Sequence, residues 1–187
     1  VCPPFQEITP PTPTTDRQCA PSGSLAQLAG DDGFRIDGAE ETFRLGNDVA
    51  GVGDVNADGF DDFVVTAMYA EKPGSWIEGA AYLVFGRDTA SQGEYPALLD
   101  LGVAGALTAV GGVTIWGGSA GDRAGSSVSR LGDVNGDGID DFIVSAHLGD
   151  ANGTNAGEAY VIFGNASGFD AEFELYDLLA DNGGDGS

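Results

Sequence analysis

The stretch GDVNADGFDDFVV, from Gly53 to Val65, returns as GDVNGDGIDDFIV from Gly132 to Val144, with ten of thirteen positions identical. What the chain repeats is charge. The two copies hold Asp54, Asp58, Asp61 and Asp62, then Asp133, Asp137, Asp140 and Asp141. Carboxylates crowded this closely repel one another unless a cation sits among them. Whatever fold the chain adopts must therefore build the same acidic turn twice.

The repeat extends well beyond that turn. GFRIDG (Gly33–Gly38) aligns with GVTIWG (Gly112–Gly117), and GNDVAGVGDV (Gly46–Val55) with GSSVSRLGDV (Gly125–Val134). DDFVVTA (Asp61–Ala67) aligns with DDFIVSA (Asp140–Ala146), and GAAYLVFG (Gly79–Gly86) with GEAYVIFG (Gly157–Gly164). Each segment is short, β-branched or aromatic, and bounded by Gly, Asp or Asn, so each reads as a strand. The 31 glycines fit an all-β chain rich in turns. Four strands in a unit of about 80 residues describe β-propeller blades with a long insertion, here 87–111. The expected division is a Pro/Thr-rich arm at 1–24, a first unit with its preceding outer strand at 25–111, and a second unit at 112–187 that ends on the start of a third. YPALLDL and FELYDLL, in the connecting segments, each read as one helical turn.

The acidic turn has the spacing of a cation loop. With Asp54 as position 1, Asn56 is 3, Asp58 is 5, Gly59 is 6, Phe60 is 7 and Asp62 is 9. The second copy offers Asp133, Asn135, Asp137, Gly138, Ile139 and Asp141. Alternate oxygen-bearing side chains let a curled loop aim several oxygens at one centre, glycine permits the sharp bend, and position 7 contributes only its carbonyl. This all-oxygen set suits Ca²⁺ better than Mg²⁺. An EF-hand would need Glu at position 12 and a following helix. Position 12 is Val65 or Val144, inside an apolar β run, and a dockerin-like loop fails on the same ground. What remains is a loop between two strands.

In this order of motifs the chain resembles the FG-GAP repeats that build the propeller of integrin α subunits and of many bacterial surface proteins. The FG pair stands at Phe85–Gly86 and Phe163–Gly164, while the GAP part is degenerate, as TAM (Thr66–Met68) and SAH (Ser145–His147). The resemblance covers about residues 33–187 and implies one calcium ion in each hairpin. The implied ligands are Asp54, Asn56, Asp58, Phe60 (carbonyl) and Asp62, then Asp133, Asn135, Asp137, Ile139 (carbonyl) and Asp141. It implies that Asp61 and Asp140 point away from the ion, and that the chain belongs outside the cell or on its surface.

Other features narrow the function by exclusion. A net charge of −23, from 30 acidic residues against 7 Lys and Arg, opposes nucleic acid and anionic membranes as partners. No run of about 18 apolar residues exists to span a bilayer. His147 is the only histidine, no Gly-x-Ser-x-Gly is present, and the clearest carboxylate pairs are taken by the loops, so the chain does not read as an enzyme. Cys2 and Cys19 would form a disulfide in an exported protein, and the start at Val fits a processed chain or an excised piece. Trp116 lies on an outer strand and reads as packing, Trp76 on a loop as a contact residue. Asn152 and Asn165 each open a glycosylation triplet.

The strand inventory leaves a ring unfinished. One outer strand at the start lacks a blade, and one blade at the end lacks its outer strand. The expectation is head-to-tail assembly into a fibre or ring, in which GFRIDG of one subunit completes the blade holding Asp133–Asp141 of the next and the arm docks on a neighbour. The alternative is a fragment of a larger adhesin whose loops, such as 69–78, 87–111 and 147–156, bind a protein or glycan ligand.

Overall fold

The computed structural model describes residues 28, 33–72 and 74–180; the arm 1–24, with both cysteines, lies outside them. Among these residues ten strands and three single-turn helices follow one another: β1 Arg35–Asp37, β2 Val49–Gly53, β3 Asp62–Ala67, β4 Ala80–Val84, α1 Thr89–Gln92, β5 Leu98–Asp100, α2 Ala106–Ala109, β6 Val113–Trp116, β7 Ala124–Gly132, β8 Asp141–Ala146, β9 Glu158–Ile162, β10 Glu172–Glu174 and α3 Asp177–Ala180. The fold is all-β and of blade type, and among the described residues no sheet closes into a barrel.

The first blade is the antiparallel run β2-β3-β4-β6, to which β10 adds in parallel, giving the order β10-β6-β4-β3-β2. The second contains β7-β8-β9, and a separate two-stranded sheet pairs β1 with β5 in parallel. Sheets and sequence units are thus offset by one strand: β6, which opens the second unit, hydrogen-bonds into the first blade. Alternation explains the stacking. Val52, Val64, Leu83 and Ile115 point one way from the first blade and are buried with Val128, Phe142, Val144 and Ile162 of the second. Tyr82 and Val84 point the other way, into a second core with Leu99, Phe34 and Ile36, so the β1-β5 sheet sits where a preceding blade would.

One expectation is corrected. YPALLDL forms the strand β5 rather than a helical turn, because its backbone pairs with β1; FELYDLL is split between β10 and the turn α3. The two segments play the same part, each laid in parallel on the outer strand of the preceding blade. Trp116 packs against the second core, while Trp76 is 80% exposed. Asn152, Asn165 and His147 are exposed.

Candidate metal centre

The two acidic turns join β2 to β3 and β7 to β8, and their internal bonding is nearly identical. In the first, Asp54 accepts from the Asp58 and Gly59 amides at 3.0 and 2.8 Å through its two carboxylate oxygens. Asn56 Oδ1 also accepts from Asp58 N–H at 3.0 Å, and Asp58 Oδ1 accepts from Phe60 N–H at 2.9 Å. In the second, Asp133 accepts from Asp137 and Gly138 at 3.1 and 2.9 Å, Asn135 from Asp137 at 3.0 Å, and Asp137 from Ile139 at 2.9 Å. Gly59 (φ 94°) and Gly138 (φ 89°) take the left-handed conformation that the bend requires.

Asp62 and Asp141 stand apart from the other ligand candidates. They are 1% and 0% exposed. Asp62 accepts from Val55 N–H at 2.9 Å and Gly86 N–H at 2.8 Å; Asp141 accepts from Val134 and Gly164 N–H, each at 2.8 Å. Each carboxylate therefore ties its own hairpin to the end of the strand that comes next, β4 or β9. Burial pushes Asp62 up to about 6, with the Asp58 and Asp54 charges adding to that, against the two amides that lower it. The Phe60 and Ile139 carbonyls accept no hydrogen bond among the described residues.

The donors in each loop are all oxygens, which fits a hard cation, and all of the accepting side-chain oxygens named keep a second lone pair except Asp133 Oδ1, which accepts from both Gly136 and Asp137 N–H. Among the described residues, however, no three Asp, Glu, His or Cys side chains converge closely enough to hold a metal by themselves. The loop oxygens are turned onto backbone amides, and ligation would have to draw them inward.

Three further groups bind the blades together, and of these only Asp140 belongs to the acidic motif. Asp140 accepts from Asp54 N–H at 3.1 Å, its own N–H donates to the Asp54 carbonyl at 3.3 Å, and its carboxylate pairs with Arg130 at 2.9 Å. The two acidic loops are thereby in direct contact. Asn47 donates to the Gly125 and Ser126 carbonyls, and Asp48 accepts from Val128 N–H at 2.9 Å and Ser127 Oγ at 3.0 Å. The Val128 amide, with smaller help from Ser127 and Val49, holds the Asp48 carboxyl below the usual range against the opposing effect of burial. Its repeat counterpart is Ser127, so no pattern in the sequence marks it.

Asp122, 4% exposed, lies at the opposite end of the strands, where burial and the charges of Glu158, Asp150 and Glu78 raise its carboxyl to about 6. Its folded value exceeds the ordinary 3.8, so ionisation above pH 6 opposes folding and the penalty vanishes below about pH 4. Asp122→Asn is therefore expected to raise the thermal midpoint at pH 8 and leave it unchanged at pH 4. Equal midpoints at both pH values would show that Asp122 is not held against its charge.

Among the described residues no helix is long and apolar enough to cross a membrane. No curated protein matches the chain. Residues 124–162, which hold all three strands of the second blade and the acidic loop between β7 and β8, match the FG-GAP repeat family, so this part of the chain carries an FG-GAP repeat.

Proposed function

We propose that this chain is a calcium-stabilised structural module of the cell exterior, an integrin-like FG-GAP unit that assembles head to tail through its open strand edges and does no catalysis. The observation that carries the reading is the pair of acidic loops, alike in bonding and joined through Asp54 and Asp140. Asp54, Asn56, Asp58, Asp62 and the Phe60 carbonyl would hold one ion; Asp133, Asn135, Asp137, Asp141 and the Ile139 carbonyl the other. Calcium, when bound, would neutralise the crowded carboxylates, and at a hundred times its dissociation constant each site would add about 2.7 kcal/mol of stability. That is a large share of what holds a domain of this size together. A second reading, a segment of a larger adhesin that binds a protein or glycan ligand, draws on the exposed Trp76 in the loop between β3 and β4.

Light scattering and negative-stain microscopy, in millimolar calcium and then in excess chelator, separate the two. Long fibres or closed rings that fall apart on chelation are expected. Single chains in both conditions would overturn assembly and leave the adhesin segment.

A further inference from the structure

We propose that the two incomplete sheets are the two parts of one blade, completed between copies: β1 and β5 of one copy add to the open edge of β9 in a second. The inference rests on the head-to-tail reading above and names the partner and the pairing.

The first blade is the template. Its order is β10-β6-β4-β3-β2. The internal repeat maps β6, β4, β3 and β2 onto β1, β9, β8 and β7, and the matching parallel pairings equate β10 with β5. The chain holds these five as a pair and a triplet, β1-β5 and β7-β8-β9, with a gap where β6 meets β4 in the template. Among the described residues every strand has a place in one blade or the other.

Hydrogen-bond parity leaves the correct edges open. Thr114 N–H donates to the Ala171 carbonyl and Leu175 N–H to the Trp116 carbonyl, so alternate residues of β6 turn to β10. Arg35 N–H donates to Ala97 and Leu101 N–H to Asp37 in the same pattern. The main-chain groups of Phe34, Ile36 and Gly38 therefore point to the side of β1 that has no strand among the described residues. In the template the counterpart of Gly38 is Gly117, whose N–H donates to Gly79 at 2.9 Å. The template register, Leu83↔Val113 and Ala81↔Ile115, becomes Val161↔Phe34 and Ala159↔Ile36 between copies.

The faces agree with the edges. Val52, Val55 and Leu83 of the first blade are 0% exposed beneath the second; their counterparts Leu131, Val134 and Val161 are 38%, 54% and 41% exposed. A blade whose edge is completed by the next copy also has that copy's first blade stacked on this face, as the second blade is stacked on the first. One pair opposes the register: Ala80↔Trp116 becomes Glu158↔Asp37, two carboxylates face to face. Both are already engaged, Asp37 by Arg35 at 2.8 Å and Glu158 by the Ala151 amide and the Tyr160 hydroxyl.

That opposing pair supplies the test. A chain carrying Asp37→Cys and Glu158→Cys, in a Cys2→Ser, Cys19→Ser background, places two thiols within disulfide reach only across the proposed junction. Oxidation is expected to give a covalent ladder on a non-reducing denaturing gel, and Asp37→Cys with Ser129→Cys to give none. A second variant, Ala159→Pro, removes an N–H that faces the open edge and should leave the single chain folded by circular dichroism while abolishing large particles. Large particles of the cysteine variant without a ladder, or Ala159→Pro assembling like the parent, would overturn this pairing and leave assembly standing. Single chains of the parent would overturn both.

Discussion

Gly79→Ala is expected to lower the thermal midpoint several times more than Gly157→Ala, although the two glycines are repeat counterparts with φ of 81° and 82°. A β-carbon at Gly79 would lie 2.2 Å from the carbonyl oxygen of Ala124 and 2.6 Å from its nitrogen. Both are backbone atoms, and the backbone there cannot yield easily. Gly79 and Ala124 form a bridge between the blades, the Gly79 carbonyl accepts from Gly117, and Ala124 N–H donates to Glu78. At Gly157 the nearest atom is the His147 carbonyl oxygen, 3.3 Å away. Alanine at either site costs about 1 kcal/mol for the left-handed backbone. At Gly79 the blades must also separate, which adds about 1–3 kcal/mol. In a chain of this length each kcal/mol moves the midpoint by about 2–4 °C, so calorimetry on single chains in chelator resolves the difference. Equal shifts would mean that the blades do not meet backbone to backbone at Gly79.

That contrast also marks where the sequence stops informing. The strands of both blades were legible because each is a short β-branched or aromatic run fenced by Gly, Asn or Asp. The outer strand could be placed because GFRIDG and GVTIWG stand at the same distance from the acidic turn. The strands β5 and β10 were not legible. YPALLDL has apolar residues at helical spacing, and the partner that makes it extended is β1, about sixty residues earlier in the chain. Asp48 was invisible for a related reason: its acceptor role toward Val128 exists only once two blades are stacked. Gly79 and Gly157 look alike in sequence because the sequence does not say which has a neighbour. The acidic loops were legible as two matching runs of oxygen-bearing side chains, but the division within each run was not. Spacing treats Asp62 as one more ligand, and only burial exposes its hold on Val55 and Gly86.

The same division yields the second large effect. Asp141→Ala is expected to destabilise the chain by about 2–4 kcal/mol in chelator as well as in calcium, because it leaves the buried Gly164 amide and the part-buried Val134 amide without an acceptor. Asp137→Ala should behave differently. Asp137 is exposed and accepts from Ile139 N–H and Asn135 Nδ2. Losing those bonds is offset by removing a carboxylate from beside Asp133, so in chelator the change should stay within about 0.5 kcal/mol. In saturating calcium the same variant should lose the whole contribution of its site, about 2.7 kcal/mol at a hundredfold excess over the dissociation constant. Denaturant titrations of both variants with and without calcium measure all four numbers. If Asp137→Ala costs the same in both conditions, the loop is a turn held by its own amides and the crowded aspartates bind no calcium. If it loses stability only in calcium while Asp141→Ala loses it in both, one carboxylate builds the hairpin and the other answers to the metal.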